Sequence, residues 1–114
     1  MTTVKFVLDG SGRITGFSVS GHSGYAEEGS DIVCAAVSGT VQMLEMSIAQ
    51  VIGEAKASFK VLGDAEISYE LPNDLSDKEK EIIKPMMDGF FGYMQSISKQ
   101  YEDFLTLKTE VKKC

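Results

Sequence analysis

The sequence predicts one small α+β domain, a two-layer α/β sandwich in which a single sheet packs against helices in the order ββαββα(β). Two pairs of short segments alternate apolar and polar residues across turn sequences, and two longer segments carry helical patterning. The chain has 114 residues, of which 43% are hydrophobic and 25% charged, as is typical of one globular domain. We therefore expect a single domain over residues 1–114.

The first predicted element is a β-hairpin. Val4, Phe6 and Leu8 recur at the two-residue period of a half-buried strand, and the turn sequence DGSG follows. The second strand covers residues 13–20, where the apolar positions change parity beside Gly16. A glycine at such a change indicates a β-bulge.

A small and polar segment, residues 21–30, is expected to form a loop before the first long helix, residues 32–52. Ser30 or Asp31 would cap this helix by accepting hydrogen bonds from its first backbone N–H groups. The helix is apolar on nearly every side, and one sheet covers only one side of a helix. We expect a second copy of the protein to cover the remainder.

The second half of the chain repeats the pattern of a hairpin followed by a helix. Residues 57–61 and 65–71 alternate as strands on either side of a Gly-Asp turn. The sequence SDKE, which begins at Ser76, has the spacing of a capping box and starts the second long helix. Pro85 should kink or restart that helix, and residues 104–111 favour a last strand.

The charge balance restricts the partners. Seventeen acidic and eleven basic residues give a net charge of −6, which repels nucleic acid and attracts a basic peptide. No apolar run approaches the roughly 20 residues of a membrane helix, and the N-terminus lacks the pattern of a signal peptide. We expect a cytoplasmic protein that binds neither nucleic acid nor a membrane.

One histidine and one cysteine could carry chemistry. His22 is the only histidine, and Cys34 is expected in the first turn of the first helix. A helix N-terminus and an imidazole both favour a thiolate, the imidazole can transfer protons, and backbone N–H groups of the same turn could hold an oxyanion. The spacing alone is also compatible with a non-catalytic interpretation, in which His22 is a polar residue at the end of a strand and Cys34 is a small buried apolar residue.

A metal or cofactor site is not expected. A zinc site needs three or four ligands, and this stretch offers His22, Cys34 and either Asp31 or a loop glutamate. The glycines near the N-terminus lie in a hairpin, so they do not form a phosphate-binding loop before a helix. Cys114 has no assigned role.

Two motifs, GHSGYA beginning at Gly21 and the later GSDIVCAAVS, resemble the signature of the ribosomal-processing cysteine protease family, Prp. The resemblance covers essentially the whole chain. It implies that His22 is the catalytic base and Cys34 the nucleophile, with Asp31 and Ser38 beside the site. It also implies that Gly21 is a hinge for a mobile loop, so that Gly21→Ala would slow cleavage while barely changing thermal stability.

The function implied by the resemblance is that of a cysteine endopeptidase that forms a homodimer. It would remove a short N-terminal extension from the precursor of a large-subunit ribosomal protein (number twenty-seven), cutting after a hydrophobic, aromatic-ending segment. Glu27 and Glu28 would then attract a basic peptide, although a solvated loop tip explains them equally well. The competing hypotheses are a non-catalytic ribosome-associated binding module with a structural Cys/His pair, and a redox-active thiol protein.

Two supporting residues have alternative roles. Asp31 either caps the helix or orients the imidazole of His22. Ser38 lies one turn after Cys34, where it either bonds back to the Cys34 carbonyl or contacts the substrate or His22.

Overall fold

A computed structural model of the protein describes residues 1–21, 28–61 and 66–112. Its elements follow one another as β1 (Thr2–Leu8), β2 (Ile14–Ser20), α1 (Glu28–Ile52), α2 (Glu54–Ala57), β3 (Lys60–Val61), β4 (Glu66–Glu70), α3 (Asp77–Gln100) and β5 (Leu105–Val111). The strands form one mixed sheet in the order β3-β4-β2-β1-β5, in which only β1 and β5 are parallel. The helices lie on one face, which confirms the predicted two-layer fold.

The core lies between the sheet and the two long helices. Val4 and Phe6 of β1 are fully buried, while Lys5 and Val7 are only partly buried, because alternate side chains of a strand point to opposite faces. The Phe6 ring packs against Phe90 and Phe91 of α3, with ring centroids 5.4 and 4.9 Å apart. Among the described residues, no helix covers the opposite face of the sheet, here called the open face.

The predicted bulge in the first hairpin is confirmed. Val7 pairs with Gly16, but Leu8 pairs with Ile14, so Thr15 is the extra residue of β2. The extra residue shifts the alternation by one position, which explains the change of parity in the sequence.

Helix α1 begins at Glu28, four residues before the expected start, because the predicted loop already contributes its first turn. Ser30 and Asp31 therefore lie inside the helix, and the prediction that one of them is its N-cap is wrong. The inner side of α1 is buried against the sheet and α3, through Val33, Val37, Val41, Leu44 and Ile48. Its outer side remains exposed, with Met43 at 65% and Met46 at 68%.

The same helix corrects the expectation about apolar runs. Residues Ile32–Ile52 form a 21-residue segment that is long and apolar enough to cross a membrane, by length and composition alone. A core helix of a folded domain passes the same test, and the inner side of α1 forms part of the core. That the protein binds no membrane stays a prediction.

The second hairpin is shorter than predicted. Its first strand starts only at Lys60, because the preceding residues form the short helix α2. Two hydrogen bonds hold this connection: Tyr69 Oη donates to the Lys56 carbonyl at 2.9 Å, and the Phe59 N–H donates to the Glu45 carboxylate at 2.8 Å. Burial raises the pKa of Tyr69 to about 12. The predicted Gly-Asp turn, residues 63–64, lies outside the described residues.

Helix α3 begins at the predicted capping box. Ser76 Oγ accepts from the Glu79 N–H at 3.1 Å, and the Glu79 carboxylate accepts from the Ser76 N–H at 2.9 Å. Pro85 lies inside one continuous helix, so the prediction of a restart is wrong. Ile83 and Met87 are buried on either side of Pro85, and this packing offsets the backbone hydrogen bond that proline cannot donate.

Candidate active site

A cavity of about 350 Å³ lies at the end of the sheet where β1 begins and β2 ends, against α1. It is lined by residues of both hairpins and of the helix, namely Thr2, Val19, Gly21, Cys34, Val37, Ser38, Val41, Val61, Glu66 and Ile67. Three of the residues singled out in the sequence are among them. The structure therefore brings Gly21, Cys34 and Ser38 to one cavity.

The helix contributes a single stripe to this cavity. Cys34, Val37, Ser38 and Val41 are spaced three or four positions apart, which places them on one side of α1. Val37 and Val41 are buried, whereas Cys34 and Ser38 are exposed. The thiol therefore lies at an accessible surface of the cavity, and the interpretation of Cys34 as a small buried residue is wrong.

The early start of α1 changes the position of Cys34 in the helix. Cys34 is the seventh residue of α1 and lies in its second turn, not in the first turn as predicted. Only the first four N–H groups of a helix lack intrahelical partners, and the effect of the helix dipole decays within the first turn. The helix N-terminus thus contributes less to a thiolate or an oxyanion than the sequence suggested.

Ser38 is hydrogen-bonded along its own helix. Its Oγ accepts from Gln42 Nε2 at 3.0 Å. A hydroxyl that accepts one hydrogen bond can still donate its own proton. Donation to the Cys34 carbonyl and contact with a substrate therefore both remain open to Ser38.

Gly21 follows the end of β2 and has a φ of +83°, a conformation that residues with a Cβ rarely adopt. A Cβ built on it would lie 2.5 Å from the Met1 carbonyl oxygen, closer than real Cβ atoms come. The position thus requires glycine for its backbone conformation and for its contact with the start of β1. This requirement exists whether or not Gly21 is a hinge.

Several predicted site residues lie outside the described part of the chain. These are His22, Glu27, Cys114 and the side chains of Glu28 and Asp31. Within the described ranges, no three or more His, Cys, Asp or Glu residues are grouped so that they could hold a metal ion. His22 lies outside these ranges, so the prediction that there is no metal site stays a prediction.

Sequence reasoning missed the second wall of the cavity. Val61, Glu66 and Ile67 come from the second hairpin, about thirty positions after Cys34. Glu66 is the one charged residue among the described residues that line the cavity. No local pattern links this hairpin to the cysteine motif; only the order of strands in the sheet does.

Comparison with known proteins gives consistent results. The family model described as "Cysteine protease Prp" matches residues 1–106. The chain is 25% identical over 103 residues to the ribosomal processing cysteine protease Prp of Bacillus subtilis (strain 168). The aligned segment covers 86% of this chain and 88% of that protein.

Solved structures share the fold. Protein SMU.848 of Streptococcus mutans superposes with a TM-score of 0.70 at 20% identity, covering 98% of this chain and 96% of that one. The ribosomal processing protease Prp of S. aureus, in complex with a substrate peptide, superposes with a TM-score of 0.67 at 17% identity, covering 96% of this chain and all of that one. The two-layer arrangement described above is thus also found in a protease bound to a peptide.

Proposed function

This chain belongs to the Prp family of ribosomal-processing cysteine proteases, and from that premise we propose that Cys34 is its nucleophile and His22 its base. The observation that carries the proposal is the exposed thiol of Cys34 in a cavity that Gly21 also lines. His22 follows Gly21 directly in the sequence. Asp31 and Ser38 are proposed as supporting residues beside the dyad.

The chemistry is acyl transfer to sulfur. The Cys34 thiolate attacks the scissile carbonyl, a C–S bond forms, and the C–N bond breaks as the His22 imidazolium gives its proton to the leaving amine. A water molecule then attacks the thioester while the imidazole takes a proton from it. The C–S bond breaks, the acid is released, and the thiolate is restored.

The proposed substrate is the N-terminal extension of a large-subunit ribosomal protein (number twenty-seven), cut in the cytoplasm. The relative from B. subtilis is named a ribosomal processing protease, and the Prp of S. aureus was crystallised with a substrate peptide. Charge supports a basic peptide, because residues 14–55 contain five acidic residues and no lysine or arginine. The negative field of this segment attracts a cationic chain.

The proposed assembly is a homodimer that buries the outer side of α1. Ile32, Met43 and Met46 are exposed on this helix, and a groove of about 480 Å³ runs between α1 and α3. Methionine side chains adapt to irregular apolar surfaces, so the outer side of α1 is suited to pack against the same side of α1 in a second copy of the protein. The dimer would also remove from water an apolar surface that a monomer leaves exposed.

A peptide that spans the junction between the extension and the mature ribosomal protein tests the proposed function. Mass spectrometry should show one cut by the wild type, and Cys34→Ala should lower the rate at least a thousandfold without altering the fold. Cys34→Ser should be nearly as inactive, because a hydroxyl is a poor nucleophile where a thiolate is required. Cys114→Ala, which changes the other cysteine, should cleave at the wild-type rate.

Two outcomes would reject the proposal. Substantial cleavage by Cys34→Ala would exclude Cys34 as the nucleophile. A peptide that binds to the wild type and is never cut would favour the non-catalytic binding module instead.

A further inference from the structure

Glu66 lies at the junction of two cavities. It lines the cavity that contains Cys34, and it also lines a second cavity of about 410 Å³ on the open face of the sheet. It is the first residue of β4, and it is exposed, whereas Ile67 beside it packs against the core. A peptide that leaves the Cys34 cavity toward the open face therefore passes this carboxylate.

The other acidic residues of the open-face cavity are paired with lysines. Glu70 forms an ion pair with Lys112 at 2.7 Å, and Glu110 forms one with Lys5 at 2.8 Å. Within residues 1–21, 28–61 and 66–112, no lysine or arginine forms an ion pair with Glu66.

The sequence around the site explains the missing partner. Neither residues 14–55 nor residues 61–77 contain a lysine or an arginine. Among the described elements that line the Cys34 cavity, only β1 and β3 contain a lysine. Lys5 of β1 is paired with Glu110, and Lys60 of β3 lies opposite Ser68 and forms no ion pair with Glu66. Among the described residues, the Glu66 carboxylate therefore has no cationic partner, and a bound peptide can supply one.

We propose that Glu66 is a specificity-determining residue, which selects a lysine or arginine side chain of the peptide close to the scissile bond. The inference rests on the proposed function, because it takes Cys34 as the point of cleavage. An extended peptide advances about 3.3 Å per residue, so a cavity of this size holds roughly two to three residues. The selected side chain therefore lies within about three positions of the cut.

The test uses a series of junction peptides in which one lysine is moved through three positions on each side of the scissile bond. Each peptide has a partner with glutamine at that position, and the measured quantity is the ratio of the two kcat/KM values. At low salt the wild type should prefer lysine roughly three- to fivefold at one position, as expected for an exposed ion pair. In about 0.5 M salt the preference should largely disappear.

Variants identify the residue responsible. Glu66→Gln should bring the ratio at that position close to one, and Glu66→Lys should prefer glutamate there instead of lysine. Glu70→Gln is the matched control, because Glu70 shares the open face of β4 but does not line the Cys34 cavity. It should keep the wild-type ratio.

The inference is overturned if Glu66→Gln keeps the preference for lysine, or if Glu70→Gln loses it equally. Peptide binding to Cys34→Ala, followed by fluorescence anisotropy, separates this failure from a failure of the proposed function. If the wild type cuts no peptide but binding depends on Glu66 and on the lysine, the proposed function fails and the recognition by Glu66 stands. If neither cleavage nor binding depends on the lysine, Glu66 has no such role.

Discussion

Substitution of Gly21 by alanine separates two explanations of this glycine. If Gly21 were required only for the flexibility of its backbone, Gly21→Ala would leave the thermal stability of the protein almost unchanged. The structure predicts a loss of stability instead, because φ is +83° and the new Cβ would lie 2.5 Å from the Met1 carbonyl oxygen. The carbonyl cannot move freely, since the next residue, Thr2, is buried and its N–H donates to the Phe104 carbonyl at 2.9 Å.

The magnitude follows from two costs. A left-handed conformation costs an alanine about 1–2 kcal/mol, and relief of the clash by a shift of the chain costs about 1 kcal/mol or more. Gly12→Ala is the matched control, because its φ is +86° and no atom lies within 4 Å of its added Cβ. Gly21→Ala should therefore lower the free energy of unfolding by roughly 1 kcal/mol more than Gly12→Ala, or about 4 °C in Tm.

Chemical and thermal unfolding followed by circular dichroism measure this difference, with mass spectrometry to confirm that Met1 is present. A chain without Met1 provides a second control, because it lacks the carbonyl that the Cβ would meet. In that chain the costs of Gly21→Ala and Gly12→Ala should become similar. Equal stability of the two alanine variants in the full chain would refute the contact with Met1 as the reason for Gly21.

Two further predictions concern the sheet and the dimer. Gly16→Ala should destabilise the protein by about 2 kcal/mol in urea unfolding, because its Cβ would lie 2.8 Å from the Tyr69 carbonyl oxygen in the neighbouring strand. A loss of stability no larger than that of Gly12→Ala, whose Cβ has no atom within 4 Å, would contradict this prediction, because it would show that β4 moves aside at little cost. Analytical ultracentrifugation should give about twice 12.4 kDa for the wild type and a monomer for the double variant Met43→Glu and Met46→Glu, since charge cannot be buried in an apolar interface. A wild type that is monomeric at micromolar concentration, or a dimer unaffected by the double variant, would contradict the proposed interface.

The sequence by itself determined the features that depend on neighbouring residues. The bulge beside Gly16 and the capping box at Ser76 were predicted where the structure has them, because alternation and capping involve only a few consecutive positions. The motifs around Gly21 and Cys34 likewise indicated the family to which the chain belongs.

The errors of the sequence analysis lie where local preferences compete with packing. The first turn of α1 was predicted as a loop because Gly29 and Ser30 favour turns, yet the structure continues the helix through them. Pro85 was expected to kink or restart α3; the helix does not restart there, and residues on both sides of Pro85 are buried. At Pro85 a penalty of about 3 kcal/mol is outweighed by tertiary contacts that no short segment of sequence reveals.

The tertiary structure alone decided what surrounds Cys34. In the sheet order β3-β4-β2-β1-β5, the second hairpin forms one edge and β4 pairs with β2. This pairing brings Glu66 and Ile67 to the same cavity as the cysteine. These residues lie 32 and 33 positions from Cys34, and their approach depends on backbone pairing between β2 and β4. The order of strands depends on how the whole inner face of the sheet is buried. The alternation of apolar and polar residues within one strand does not reveal which strands pair with it.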